Sequence, residues 1–212
     1  MLSPHQLASR YAFDFRVVRR MCDTVLDAEA FRSVADLSRG GPEIVDEGHG
    51  GLATCYRVKF HVPTLIGPGR FAPETVIGFN LAVGDYPYAA PVSWVISDHV
   101  PYSPHFRSGA PVCIGEVWSQ SRGRMLLGQL LVHVARLLNW DEVARGGGYR
   151  GWNGAAIDYH AAVFGDRPLD PSIRYPNLPL DLTHGIDASD ELFRSVSETV
   201  VGDDGAFFRA AP

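Results

Sequence analysis

With 212 residues and 46% hydrophobic side chains, the chain holds enough apolar material for one well-buried core and gives no reason to expect two. A formal net charge of −5 excludes a generally basic, phosphate-seeking surface, and no basic run with interleaved aromatics points to nucleic acid. No apolar run nears the ~20 residues of a membrane span, and the start "MLSPHQLASRY" lacks the apolar region of a secretory signal.

Cys22, Cys55 and Cys113 are odd in number and form no CxxC pair, which argues against a disulfide framework and a zinc ribbon, so a reduced, cytoplasmic setting is expected. Lys59 is the only lysine; an arginine-rich coding bias accounts for that on composition alone.

In chain order, Ser3-Pro4-His5-Gln6 opens a helix, because Ser3 can cap, Pro4 suits the first helical position and Gln6 completes a capping box. Leu7, Tyr11, Phe15, Val18, Cys22 and Val25 recur at steps of three and four and predict one apolar stripe. Arg10, Arg16, Arg19 and Arg20 fall mostly off it, predicting a solvated basic face or a docking surface for an acidic partner. "FRSVADL" is expected as an edge strand. "TCYRVKFHV" and "ETVIGFNLAV" alternate apolar and polar residues, "PVSWVIS" does so weakly, and the turn clusters "EGHGG" and "IGPGRFAP" separate them, as in an antiparallel meander.

After Trp118 the period lengthens: Leu127, Leu130, Leu131, Val134, Leu137 and Leu138 predict a strongly apolar helix ending near Trp140. "ARGGGYRG" reads as a connector, and "WNGAAIDYHAAVFG" as a short helix capped by Asn153 and stopped by Gly165. The expected division is a folded domain over 1–165 and an acidic, proline-rich extension over 166–212, with one more helix near "SDELFRSVSETV". From Asp166 onward nine acids face four arginines, so this extension carries the whole charge imbalance.

Among the thiols, Cys22 sits on the first helix's apolar stripe and reads as packing. Cys55 is expected on the outward face of a strand, partly exposed. Cys113 belongs to no periodic segment, following the "SGAP" turn and preceding a helix, and the residues alone leave packing and chemistry both open. The eight histidines show no HExxH or paired spacing, and His99, His105 and Cys113 are too irregularly spaced for a zinc site; no metal or cofactor is implied. A cysteine hydrolase would need a histidine beside Cys113, for which His105, His133 and His160 are available.

The layout nevertheless resembles a specific family. Helix, meander, Tyr86-Pro87-Tyr88-Ala89-Ala90-Pro91, Tyr102-Ser103-Pro104-His105, isolated cysteine, tryptophan and long apolar helix follow the order of the ubiquitin-conjugating (UBC) fold from about residue 3 to 165. That family carries Tyr-Pro-Phe-x-x-Pro, then Tyr-His-Pro-Asn with its catalytic cysteine eight residues after the asparagine, and here Cys113 follows His105 by 113 − 105 = 8. The sequence departs in Ser103 and His105, in a segment between the tyrosine motifs two residues longer than usual, and in "WSQSRG", which lacks the family's Ser-Pro-Ala. These departures and the long extension look like divergent bacterial members encoded with ubiquitin-like proteins, activating enzymes and deconjugating peptidases in antiviral operons.

The resemblance implies an α+β, UBC-like fold: an N-terminal helix, an antiparallel meander of about four strands, an active-site loop, a long central helix, a short C-terminal helix and an extended tail. It implies that Cys113 accepts a ubiquitin-like protein from an adenylating activating enzyme as a thioester and passes it to an amine on a target protein. His105 takes the asparagine's place, as an oxyanion donor or a brace of the loop. Asp141 and Glu142 lie nearest the carboxylate that takes the amine's proton. Arg10, Arg16, Arg19 and Arg20, with Trp118, are the expected partner-binding residues, and scarcity of lysine would spare such a protein self-modification. A non-catalytic UBC-like adaptor is the alternative that the lost asparagine suggests.

Overall fold

The computed structural model describes residues 2–45, 52–141, 151–176 and 178. Its first helix, α1 (Pro4–Met21), starts as the sequence predicts: the Ser3 hydroxyl accepts the Gln6 amide proton and the Gln6 side chain accepts that of Ser3. It stops a turn early. The chain reverses through Asp23 (φ 64°), so Val25 precedes a strand instead of extending the helical stripe. That strand, β1 (Leu26–Phe31), is followed by a short helix α2 (Val34–Arg39) where an edge strand is expected. The cause is local: Ser33 Oγ accepts the Asp36 N–H, and Gly40 closes the helix in the left-handed conformation (φ 64°).

The next strand, β2 (Cys55–Phe60), pairs antiparallel with β1, opposing Leu26 to Phe60 and Phe31 to Cys55. The "IGPGRFAP" turn forms most of a separate two-stranded hairpin, β3 (Thr64–Gly67) with β4 (Arg70–Ala72). After β5 (Thr75–Asn80) and β6 (Val92–Val95), the main sheet has the antiparallel order β1-β2-β5-β6. The architecture is therefore α+β, with an N-terminal helix and a four-stranded antiparallel sheet.

Alternation sorts the two faces of the sheet. Leu26, Ala28, Ala30, Tyr56, Val58, Phe60, Ile77 and Phe79 face inward and are buried against α1 and α4 (Leu127–Leu138). At Gly128 the helices approach so closely that a Cβ would lie 2.6 Å from Val17 and 2.8 Å from the Met21 sulfur. On the outer face, Leu37 of α2 covers Phe31 and Cys55, with Trp94 and Ile96 beside them. Cys55 is fully buried, not partly exposed as expected, because α2 roofs the position that alternation alone turns to solvent.

Past a short helix α3 (Val117–Ser121) and α4, helix α5 (Gly154–Phe164) is capped by Asn153 and stopped by Gly165, as predicted. Beyond it, Ile173, Tyr175 and Leu178 pack on the same core, so the packed body continues past the expected boundary at 165. The "EGHGG" turn, most of the "ARGGGYRG" connector and the "SDELFRSVSETV" helix lie outside the described residues.

Candidate functional site

Between β6 and α3 the chain makes a long irregular excursion whose backbone groups find partners one by one. The Tyr102 amide donates to Leu65 at 2.6 Å, the Trp152 amide to Pro104 at 3.0 Å, and the Val112 amide to Ser93 of β6 at 3.3 Å. Pro101, Ser103, Pro104, His105, Phe106 and Val112 are buried, whereas Arg107, Ser108 and Gly109 are exposed. The excursion is a surface loop with both feet in the protein interior, a common way to hold a reacting group on a rigid support.

Cys113, at the second foot, is in no disulfide and is partly exposed. Its amide donates to the His105 carbonyl at 2.9 Å, and its own carbonyl lies 2.9 Å from His105 Nδ1. A carbonyl only accepts, so Nδ1 carries the proton of that bond. The eight-residue spacing is thus closed by reciprocal hydrogen bonds between its end residues. The carbonyl of the following residue, Ile114, lies 3.2 Å from Nε2 of His133 on α4. Burial pushes His133 down to about 4, against the opposing pull of its bond to the Ile114 carbonyl and with the nearby Arg136 charge helping, so its ring is neutral near pH 7.

The other two thiols sit in unreactive settings. Cys22 caps the end of α1, with its sulfur 3.6 Å from the Val18 carbonyl, and burial pushes its pKa up. Burial pushes Cys55 up to about 11, leaving almost no thiolate at neutral pH.

The expected partner-binding residues separate into two groups. Arg10 is buried, contrary to its expected place on a solvated face: Nε meets Asp14 at 2.7 Å, and the guanidinium donates to the carbonyls of Gly123 (3.0 Å) and Met125 and to the Tyr86 hydroxyl (3.3 Å). Burial works against its charge, and Asp14 and Tyr86 together override that, holding the guanidinium above the ordinary arginine pKa. Asp14 also accepts from the Tyr86 hydroxyl and, at 2.8 Å, from the Leu127 amide. This network ties α1 to the Tyr86 turn and to the start of α4. Trp118 is likewise corrected: it is buried, donates Nε1–H to Pro87 at 3.0 Å and lies against the Tyr86 ring, so it offers no surface to a partner.

Arg19, by contrast, is exposed and pairs with Glu43 at 3.1 Å. Arg16 lies over the Phe13 ring, and Arg16 and Arg20 are both partly exposed. The surviving basic face is therefore Arg16, Arg19 and Arg20.

Asp141 lies just beyond α4, held by Arg136 Nε at 2.9 Å, and Arg136 is also close enough to His133 to help lower its pKa. Glu142 lies outside the described residues. His160 is packed between the rings of Trp140 (4.4 Å) and Phe164 (5.2 Å), and His99 Nε2 lies 3.1 Å from Thr75 Oγ1. Of the histidines weighed from sequence, the structure brings His105 and His133 to the cysteine segment. The role of His133 is not legible in sequence, because a lone imidazole beside an apolar helical stripe has many packing explanations.

Among the described residues no group of three or more His, Cys, Asp or Glu could hold a metal ion, and no helix is long and apolar enough to cross a membrane. No protein-family model, curated protein or solved structure matches the chain.

Proposed function

We propose that the protein is a UBC-like conjugating enzyme of the cytoplasm that carries a ubiquitin-like protein as a thioester on Cys113, within a bacterial antiviral conjugation system. The observation that carries the reading is the loop from Tyr102 to Cys113, closed by the reciprocal bonds of His105 and Cys113 and standing between a β-meander and an apolar helix. A nucleophile that meets two protein-sized partners in turn needs this combination of exposure and fixed placement.

In the first step the Cys113 thiolate attacks the thioester carbonyl presented by the activating enzyme. The new bond forms to Sγ, and the activating enzyme's own cysteine leaves as thiolate. In the second, an amine nitrogen of the target bonds to that carbonyl carbon, the bond to Sγ breaks and Cys113 leaves as thiolate. The amine's proton passes to a carboxylate, for which Asp141 is the described candidate. Exposed Arg19 and partly exposed Arg16 and Arg20 form the surface on α1 for the activating enzyme, with Arg10 and Trp118 buried within the fold.

An adaptor that binds a ubiquitin-like protein without forming a thioester is the second reading. It draws on the His105 Nδ1–H, which is already bonded to the Cys113 carbonyl, so that atom has no proton left for an oxyanion. One experiment separates the two. The protein is incubated with the co-encoded activating enzyme, its ubiquitin-like protein and ATP, then run on a non-reducing gel. A thiol-labile adduct is expected; a stable complex by gel filtration with no adduct would instead favour the adaptor.

A further inference from the structure

We propose that His133 on α4 is a positioning residue for Cys113, forming with His105 a clamp of two imidazoles on consecutive carbonyls. His105 Nδ1 is 2.9 Å from the Cys113 carbonyl oxygen, and His133 Nε2 is 3.2 Å from that of Ile114. Both carbonyls can only accept, so each ring commits one N–H to the cysteine segment. The two anchors differ in kind. His105 belongs to the loop itself and closes it, whereas His133 belongs to a helix packed against α1, with Leu130 and Leu137 buried one turn before and one turn after it. The Cys113 amide ties the segment to its own loop and the Val112 amide ties it to β6, while His133 ties the stretch entering Gly115 (φ 67°) to α4.

The geometry makes the two rings non-equivalent. Nε2 of histidine stands as many bonds from Cβ as the amide nitrogen of glutamine, and Nδ1 as many as that of asparagine. Glutamine therefore replaces the His133 donor and asparagine does not; at His105 the order reverses. Burial keeps His133 neutral, so its ring donates this bond as a neutral imidazole and adds no charge beside the thiol.

The first test needs the full chain alone. In a long-range ¹H–¹⁵N spectrum of histidine-labelled protein, His133 should appear as the Nε2–H tautomer and His105 with Nδ1 protonated, the signals being assigned with His133→Gln. In hydrogen exchange, His133→Ala and His133→Asn should speed exchange of the Val112 and Cys113 amides, which donate to Ser93 and His105, by about tenfold or more, while His133→Gln stays within about threefold of wild type. Near-UV circular dichroism and melting temperature establish that each variant is folded. A His133 ring protonated at Nδ1, unchanged exchange in His133→Ala, or equal behaviour of asparagine and glutamine would overturn the clamp.

The effect on transfer rests on the conjugating reading above. Single-turnover discharge of preloaded thioester to free lysine should fall ~10- to 100-fold in His133→Ala, as for a reacting group misplaced by about 1 Å, and recover in His133→Gln. Tautomers and exchange as expected, with no thioester formed even by wild type, would leave the clamp standing and remove the conjugating reading.

Discussion

His105 and Cys113 hold each other through two hydrogen bonds, one from the Cys113 amide to the His105 carbonyl and one from the His105 ring to the Cys113 carbonyl, each 2.9 Å long. The pair closes an eight-residue loop, and its imidazole proton is engaged by the backbone. His105 is therefore a brace before it is anything else, and an oxyanion contact from its other nitrogen requires a second proton on the ring.

This separates two roles by substitution. If bracing is what matters, His105→Asn keeps the amide donor at the Nδ1 position and retains most of the discharge rate, whereas His105→Gln and His105→Ala fall together by about 10²-fold or less. Rescue by glutamine and not by asparagine would assign the work to the Nε2 position instead. Single-turnover discharge, set beside the melting temperature of each variant, reads the difference.

Cys113→Ala should abolish the thioester adduct while leaving the fold intact, because the side chain is partly exposed and its loop contacts are made by the backbone. Cys22→Ala and Cys55→Ala should leave the adduct unchanged. Cys55→Ala should lower stability, since its fully buried sulfur packs with Phe31 and Leu37, and a small cavity there costs on the order of 1 kcal/mol. Adduct on the Cys113→Ala protein would remove the assignment.

Arginines on the same helix should behave oppositely. Asp14→Ala leaves the buried Arg10 guanidinium without its carboxylate and should cost about 3–5 kcal/mol in urea unfolding. Arg19→Ala removes an exposed pair with Glu43 and should cost less than about 1 kcal/mol. Similar losses for the two would mean that the Arg10 network does not hold α1 to the Tyr86 turn.

Reversing the charge of Arg16 and Arg19 together should slow loading of Cys113, and added salt should slow the wild type, because steering between exposed charges is screened beyond ~10 Å at 0.1 M. Stopped-flow or quenched loading at several salt concentrations checks this. Indifference to both changes would make the face a solvated helix surface only.

His133 also predicts a pH dependence of folding. Its folded pKa of about 4 lies below the ordinary 6.5, so the unfolded chain takes up a proton that the folded protein refuses. That contribution to stability is present in full above about 6.5, is lost progressively as pH falls from there to about 4, and is constant below; it amounts to at most about 3 kcal/mol. His133→Gln, which cannot titrate, should flatten this part of a urea-midpoint profile, and an unchanged slope would place the titration elsewhere.

Local chemistry was legible from the chain alone. The Ser3–Gln6 box, the Asn153 cap and Gly165 stop, the apolar periodicity of Leu127–Leu138 and the alternation in β2 and β5 each depend on residues a few positions apart, and these elements stand where the sequence puts them. The Tyr102–Cys113 loop is legible for the same reason, since its spacing is itself a local quantity. Helix α2 marks the limit: Ser33 and Asp36 signal its cap, but six residues beginning with Val34 are too few for a period to outweigh their strand-like look. Arg10, Cys55 and His133 were decided only in three dimensions. Arg10 lies on α1 as if for solvent until Tyr86, Gly123 and Met125 arrive from more than seventy residues away. Cys55 faces outward until α2 covers it, and His133 becomes a donor to Ile114 only because α4 packs beneath the cysteine loop. Burial and hydrogen-bond partnership across the fold belong to pairs of distant segments, and no window of sequence contains both members.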